Sequence, residues 1–307
     1  MKKSTDLSII ILNYNTADWL QNVLESVEQF PLQKYSLEVI VVDNDSTDDS
    51  VQMVQKKFPH VKLIQSSENG GFAKGNNQGI KQATGRYIML LNSDAEFTKE
   101  TDLDACIEYL DEHPGVAVLS PKLLLPDGSV DLASHRGEPT PWAALTYFAG
   151  LEKLIPGSRL FGRYHQTWQN FEQTHLIEAC SGAAMIVRKS AIEKVGLLDE
   201  NFFMYAEDLD WCKRFREANF QIVFFPGCQI THHKYKSGQA KTTGSINPDE
   251  FLQVPGFTKK IKTKNQARFH FYETMKQYYS KHYQKSSPLQ TWFIHKIIDG
   301  MKAWRDR

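Results

Sequence analysis

The chain has 307 residues, 41% hydrophobic and 23% charged, and its formal net charge is zero. That balance describes a globular protein with room for a substantial core, and excludes a disordered, collagen-like or multi-span membrane chain. The zero sum hides an asymmetry: residues 259–307 hold 12 Lys/Arg against 3 Asp/Glu, and the rest of the chain carries the matching acidic excess.

Cys106, Cys180, Cys212 and Cys228 form no CxxC pair and no zinc-like spacing with histidine, so they read as reduced, mostly buried thiols in a reducing cytoplasm. In MKKSTDLSIIILNYN an apolar run is interrupted by Asn13-Tyr14-Asn15 before any small-residue cleavage site, which argues against a signal peptide. No stretch reaches the roughly 18 apolar residues that spanning a bilayer needs.

Residues 7–12, LSIIIL, have the continuous β-branched texture of a strand buried on both faces. Residues 18–30 then space Trp19, Leu20, Val23, Leu24, Val27 and Phe30 by three and four, which predicts a helix laid on a sheet. A second strand at 37–42 runs into Asp43-Asn44-Asp45-Ser46-Thr47-Asp48-Asp49, and a helix at 50–58 comes next. Strand, helix, strand is the signature of a parallel sheet. Asp48 and Asp49 fall where the helix begins, and its dipole accounts for them. Asp43 falls at the strand's carboxyl end, where an acid can accept hydrogen bonds from a ribose or base in nucleotide-binding α/β folds.

A third strand, 61–65, leads to ENGGFAKGNN at 68–77, which reads as a loop. Its glycines and Lys74 would let backbone N–H groups approach a pyrophosphate, although it is neither GxxxxGK[ST] nor GxGxxG. Next comes RYIMLLNSDAE at 86–96, a buried strand that ends abruptly in Asn92-Ser93-Asp94. Ligands of open α/β sheets sit outside such strand ends, so Asp94 is placed to meet a hard cation and a phosphate. The competing reading is a polar turn that caps the next helix. Residues 101–110 predict a helix and 116–119 another strand.

Between 121 and 174 the texture changes. Asp127-Gly128 marks a hairpin turn within PKLLLPDGSV. Trp142, Tyr147, Phe148, Phe161, Tyr164, Trp168 and Phe171 either line a platform for an acceptor or pack a loop-rich insertion onto the sheet. EACSGAAMIVR, 178–188, returns to strand texture, with Gly182 permitting close backbone approach, and 190–195 predicts a short helix. NFFMYAEDLDWCKRFRE, 201–217, puts Glu207, Asp208 and Asp210 at the start of a helix. The helix dipole favours carboxylates there, yet three exceed what a cap requires, and one within reach of a substrate hydroxyl would serve as general base. A strand at 221–225 leads to Ile230-Thr231-His232-His233. Imidazole there is either a structural hydrogen-bonding group or a partner of carboxylate around a manganese-like ion.

Residues 238–255 read as a mobile loop. Two basic helices come after it, 266–283 with Phe269, Tyr272, Met275, Tyr279 and Tyr283, and 289–304 with Trp292, Phe293, Ile297, Ile298, Met301 and Trp304. An aromatic face on a basic helix suits an anionic membrane surface, and equally docking on the chain's own domain or a homodimer contact. No nucleic-acid-binding motif accompanies the basic residues.

Taken in order, SIIILNYN (8–15), VIVVDNDSTDDS (39–50), ENGGFAKGNN (68–77), LLNSDAE (90–96), SGAAMIVRK (181–189), FFMYAEDLDWCKR (202–214) and THH with the nearby Ser237 resemble the family 2 glycosyltransferases of the GT-A fold. The likeness is to the bacterial rhamnosyltransferase-like branch that builds surface polysaccharides. It implies an α/β, Rossmann-like domain over 1–238, with a mostly parallel central sheet and flanking helices. Residues 121–175 would be an insertion at the acceptor region, and 239–307 a basic helical extension of a cytoplasmic protein, peripheral on the inner face of the membrane.

The resemblance also implies roles. Asn13, Asn15, Asp43 and Asn44 would hold the nucleotide, and Gly71, Lys74 and Asn76 would lie against nucleotide and diphosphate, with Asn92 and Ser93 beside them. Asp94 matches the metal-binding end of the family's DxD motif, and His232 the histidine that completes a Mg²⁺ or Mn²⁺ site. Asp208 matches the catalytic base of inverting members, with Glu207 its rival and Glu96 a supporting partner for the metal site. Asn92 departs from the pattern by replacing the first DxD acid, but Mg²⁺ commonly uses only one or two carboxylates plus waters and phosphate oxygens. The implied reaction takes rhamnose from dTDP-rhamnose, or a hexose from a UDP-sugar, to a glycan or lipid-linked acceptor. Two rivals are a catalytically silent binding partner of the same fold and a nucleotidyltransferase. The latter needs a Gly-rich basic loop after the first strand, and 13–16 contain neither Gly nor Lys.

Overall fold

The computed structural model describes residues 5–155, 157–234 and 266–305. Its first half alternates as expected: β1 (Leu7–Asn13), α1 (Ala17–Gln29), β2 (Leu37–Asp43), α2 (Ser50–Lys57), β3 (Lys62–Gln65), α3 (Gly71–Gln82) and β4 (Tyr87–Asn92). After these come β5 (Ala95–Phe97), α4 (Leu103–Glu112), β6 (Val116–Leu124), a 3₁₀ turn at Leu132–Ser134, α5 (Pro141–Phe148), α6 (Leu151–Leu154) and β7 (His175–Ile177). The chain continues through β8 (Ala184–Arg188), α7 (Lys189–Val195), α8 (Glu207–Glu217) and β9 (Gln221–His232), and the described part ends in α9 (Gln266–Tyr283) and α10 (Pro288–Arg305).

Among the described residues the strands form one sheet in the order β3-β2-β1-β4-β8-β6-β9-β5, with β7 also on β9. β1, β2, β3, β4, β6 and β9 run one way, and β5, β7 and β8 oppose them, so the sheet is mostly parallel. Ile9 and Ile11 of β1 join Leu20 and Val23 of α1 and Ile107 of α4 in one core layer. Ile10 joins Ala73 and Ile80 of α3 and Trp211 and Phe215 of α8 in the other. Burial on both faces is why LSIIIL shows no alternation.

The structure corrects the sequence reading in several places. ENGGFAKGNN is not a loop throughout, because α3 begins at Gly71. Gly71, Gly75 and Gly79 recur every four residues and so share a helix face. A Cβ at Gly75 would stand 2.4 Å from Leu12 Cδ1, and one at Gly79 2.5 Å from Ile10 Cγ2. These two glycines let the helix lie close on the sheet. The predicted 178–188 strand is shorter, with β8 starting only at Ala184. β6 extends to Leu124, which pairs with Val130 across the Asp127-Gly128 turn. β9 is longer than the expected 221–225 and runs on to His232, so the histidine pair stands at its end.

The insertion aromatics are not all packed alike. Phe171 packs against His135 and Phe224, with centroids 4.8 and 6.1 Å away, whereas Trp142 and Tyr147 remain exposed. The C-terminal helices dock on the domain. Tyr272, Tyr278 and Tyr279 of α9 are buried in a cluster with Phe202, Ala206 and Ala144. The Tyr279 hydroxyl donates to Pro139 O at 2.6 Å, and Lys281 Nζ lies 2.6 Å from Asp199 Oδ2. α10 buries Ile294 and Ile298 and leaves Leu289, Trp292 and Phe293 exposed. No described helix is long and apolar enough to cross a membrane. The four cysteines are free and buried. Ser237 and the loop expected at 238–255 lie outside the described residues, as do the side chains of Phe148, Phe269 and Trp304.

Candidate active site

Register brings the carboxyl ends of the central strands together. Asn13 of β1 lies opposite Asp43 of β2, and Leu12 opposite Asn92 of β4. Asn13 Nδ2 donates to Asp43 Oδ2 at 3.0 Å and to Ser46 Oγ at 3.1 Å. Its Oδ1 accepts from Thr16 Oγ1 at 2.7 Å, and Thr16 in turn meets Ser93 Oγ at 3.0 Å. Asn15 has φ +53 and accepts the Thr47 N–H, which folds the loops after β1 and β2 onto each other. Asn44 donates to Asn69 Oδ1 at 2.8 Å and to Gly71 O at 3.2 Å, tying β2 to the start of α3. These are the groups expected to hold a nucleotide, and the structure collects Asn13, Asn15, Asp43, Asn44, Gly71, Asn92 and Ser93 at one rim of the sheet.

Two connections bring the acids of α8 to the same rim. The Asn92 N–H donates to Ala183 O at 2.8 Å, and the Gly182 N–H faces Asp208 Oδ2 at 3.4 Å. The Phe72 N–H donates to Phe203 O at 2.7 Å, which fixes the turn before α8 against α3. In that turn Tyr205 and Ala206 have φ of +71 and +67, a left-handed pair that costs backbone strain and delivers Glu207 and Asp208 inward.

The three carboxylates of α8 have separate environments. Asp208 Oδ2 forms an ion pair with Arg136 Nη2 at 2.5 Å, and that guanidinium also donates to Cys180 O at 2.7 Å. Glu207 is buried, and its Oε2 has no hydrogen-bond partner among the described residues. Burial, reinforced by the neighbouring Asp208 charge, pushes the Glu207 carboxyl well above the usual carboxylate range. Asp210 is taken up in docking α9. It pairs with His282 Nε2 at 2.8 Å, Lys281 Nζ at 2.6 Å and Arg214 Nε at 2.8 Å. Burial opposes its charge, but His282 and Lys281 outweigh it and hold the carboxyl at about 2.

β5 and β9 pair Ala95 with His232, which sets His232 Nε2 3.5 Å from the buried Asp94 Oδ1. The other ring nitrogen, Nδ1, is 2.8 Å from Asp131 Oδ2. Burial disfavours the charged ring, but Asp131 and then Asp94 outweigh it and push the His232 pKa up to about 9. Asp94 and His232 offer two donors at a separation that one divalent cation can bridge, and no group of three or more such donors is gathered among the described residues. Two atoms each about 2.1 Å from one ion stand roughly 3.0–3.5 Å apart, and the field that draws a proton here also draws a metal.

Other expected residues stand apart from this cluster. Lys74 Nζ pairs with Glu68 at 2.5 Å at the surface, and the buried Asn76 donates to Phe72 O at 3.0 Å within its own helix. Glu96 reaches His233 Nε2 at 3.0 Å rather than His232. Arg136 and Asp131 escaped the sequence reading. Both lie in the insertion, where no helix or strand period marks a charged residue as inward-facing.

This architecture is that of a GT-A glycosyltransferase. It is similar to the crystal structure of Staphylococcus aureus TarS 1-349 in complex with UDP, with a TM-score of 0.54 at 20% identity over 96% of this chain and 88% of that one. Residues 8–196 match glycosyl transferase family 2, and the chain belongs to that family. It is similar to the low-salt glycan biosynthesis hexosyltransferase Agl10 of Haloferax volcanii, 28% identical over 221 residues that take in 71% of this chain and 64% of that protein. It is also similar to the N-acetylglucosaminyl-diphospho-decaprenol L-rhamnosyltransferase of Mycobacterium tuberculosis, 27% identical over 259 residues, 75% of this chain and 77% of that protein.

Proposed function

We propose that this chain is an inverting glycosyltransferase that moves a sugar, L-rhamnose from dTDP-rhamnose, to a glycan or lipid-linked acceptor in bacterial surface polysaccharide synthesis. The observation that carries this reading is the placing of two acids beside the nucleotide rim: Asp208 is fixed by the Arg136 ion pair at 2.5 Å, and Glu207 next to it is buried. A carboxylate held at such a rim can take up the proton of a substrate hydroxyl within hydrogen-bond reach. The acceptor oxygen attacks the anomeric carbon and the bond to the diphosphate breaks. The nucleoside diphosphate leaves with the electron pair, and the hydroxyl proton passes to the Asp208 carboxylate. Arg136 holds that carboxylate in place. Asn13, Asn15, Asp43 and Asn44 hold the nucleoside. Asp94 and His232 would hold a Mg²⁺ or Mn²⁺ ion, which when bound neutralises charge on the diphosphate.

The donor rests on the likeness to the mycobacterial rhamnosyltransferase. A UDP-hexose is the second reading, favoured by the likeness to TarS, whose structure is a UDP complex. Exposed Leu289, Trp292 and Phe293 on a basic tail, with Trp142 and Leu145 on α5, support peripheral contact with an anionic membrane.

A screen of nucleotide release across dTDP-, UDP- and GDP-sugars, with and without Mn²⁺, tests the proposal. Turnover of dTDP-rhamnose that Asp94→Ala weakens is expected. No release from any donor would point to a silent binding partner. Replacing Trp292 and Phe293 with serine should release the protein from anionic vesicles, and undiminished binding would contradict the membrane contact.

A further inference from the structure

We propose that Asp131 is a positioning residue for the cation site: it holds a proton of His232 on Nδ1, so that Nε2, which faces Asp94, is the nitrogen that gives up its proton to bind a divalent ion. This rests on the metal reading of the Asp94–His232 pair and adds to it a residue from a different part of the chain.

The geometry is specific. Asp131 is 1% exposed, and each carboxylate oxygen has defined partners. Oδ2 faces His232 Nδ1 at 2.8 Å, while Oδ1 accepts from Lys234 Nζ at 2.8 Å and from the Ala133 N–H at 3.1 Å. The backbone is pinned as well, since the Asp131 N–H donates to Leu123 O at 2.9 Å and the Ser134 N–H donates to Asp131 O at 3.0 Å. The carboxylate therefore has little freedom to turn away from the ring.

The chemistry comes from what each group can do. An ionised carboxylate accepts hydrogen bonds and donates none, so the nitrogen facing it must be the one that carries hydrogen. Both Asp131 oxygens are met by donors, Oδ2 by the His232 ring and Oδ1 by the Lys234 ammonium and the Ala133 N–H, which is the surrounding of a carboxylate that accepts on each oxygen. Asp131 is thus placed as an acceptor for the ring. With Nδ1–H fixed, a neutral His232 has its lone pair on Nε2, the atom 3.5 Å from Asp94 Oδ1. Metal-ligating histidines commonly have their second nitrogen bound to a carboxylate in this way, and losing that partner typically costs 10–100-fold in metal affinity. The arrangement bears on Asn92. With one acid of the DxD pattern absent, the remaining ligands must be well oriented, and Asp131 orients one of them.

Asp131 also anchors Lys234 and the 3₁₀ turn, so the test must separate orientation from anchoring. Free Mn²⁺ is counted by electron paramagnetic resonance during titration of the whole chain in the presence of UDP, and again with dTDP. Asp131→Asn should raise the Mn²⁺ dissociation constant about 10–100-fold. Lys234→Met removes the other cationic partner and should leave Mn²⁺ affinity unchanged. An equal loss in both variants would mean that Asp131 acts only as an anchor, and would overturn the proposal. If wild type binds Mn²⁺, His232→Ala weakens that binding and Asp131→Asn does not, the positioning role is wrong while the metal site stands. If wild type binds no Mn²⁺ with either nucleotide, both fail. The nitrogen-15 spectrum of His232 in the wild-type Mg²⁺–UDP complex gives a readout that does not depend on the variants folding. Hydrogen on Nδ1 is expected, and hydrogen on Nε2 would overturn the proposal.

Discussion

Arg136 and Asp208 meet in a buried ion pair at 2.5 Å although 72 residues separate them along the chain. Each side chain is only 11% exposed, so neither charge has bulk water to fall back on. Removing one partner of such a pair typically costs about 3–5 kcal/mol, because the other charge stays buried and uncompensated. Arg136→Met should therefore lower stability by about that amount in urea denaturation and sharply reduce transfer. Arg136→Lys keeps the charge but not the fork, and should fold better while remaining impaired in kcat. Wild-type turnover in Arg136→Met would show that the pair does not hold the base.

Glu207 offers a contrasting test. Burial and the Asp208 charge push its carboxyl well above the usual range, and glutamine keeps its shape without a charge. Glu207→Gln should keep the melting temperature and most of kcat. A loss of the 10²–10⁴-fold typical of a missing general base would transfer that role from Asp208 to Glu207.

Acid sensitivity should concentrate where α9 meets the domain. Glu138 pairs with Lys213 and Arg216 at 2.6 Å each and accepts the Tyr283 hydroxyl. Burial opposes its charge, but Lys213, Tyr283 and Arg216 outweigh it and hold the carboxyl at about 2, against an ordinary 4.5. A depressed carboxyl stabilises the fold above its unfolded pKa, and the contribution, on the order of 3 kcal/mol, fades as pH falls from about 4.5 towards 2. Urea midpoints measured across that window should fall less steeply in Glu138→Gln than in wild type. Identical slopes would contradict the assignment.

Gly71 joins the nucleotide rim to the turn before α8. Its φ is +79, and a Cβ there would stand 2.2 Å from Phe203 O. Gly71→Ala must shift that backbone, and should cost about 1–3 kcal/mol in denaturation along with weaker donor binding. A variant as stable as wild type would mean that the turn yields easily.

How far the sequence reveals this arrangement depends on what marks a residue locally. Asp43 and Asp94 are legible because each ends an apolar run, and a strand buried on both faces must stop where a polar group reaches the rim. The α3 helix is hidden because Gly70, Gly71 and Gly75 have the chemistry of a turn, while the four-residue recurrence that explains close packing shows only when Gly79 is included. Asp131 and Arg136 are illegible for another reason. Their partners lie 101 and 72 residues away, and the insertion has no period that would mark an inward face. The tail's basic composition suggests a surface element, yet Tyr272, Tyr278 and Tyr279 of α9 are buried against the domain. Aromatic spacing tells that a helix has an apolar face without telling what covers it.

The claim that Asp208 takes the acceptor proton beside a nucleotide-sugar site is tested most directly by Asp208→Asn, with donor binding and sugar transfer measured on the same preparation. Donor affinity close to wild type with transfer reduced at least about 10²-fold is the predicted result. Transfer at the wild-type rate with donor binding intact would contradict it.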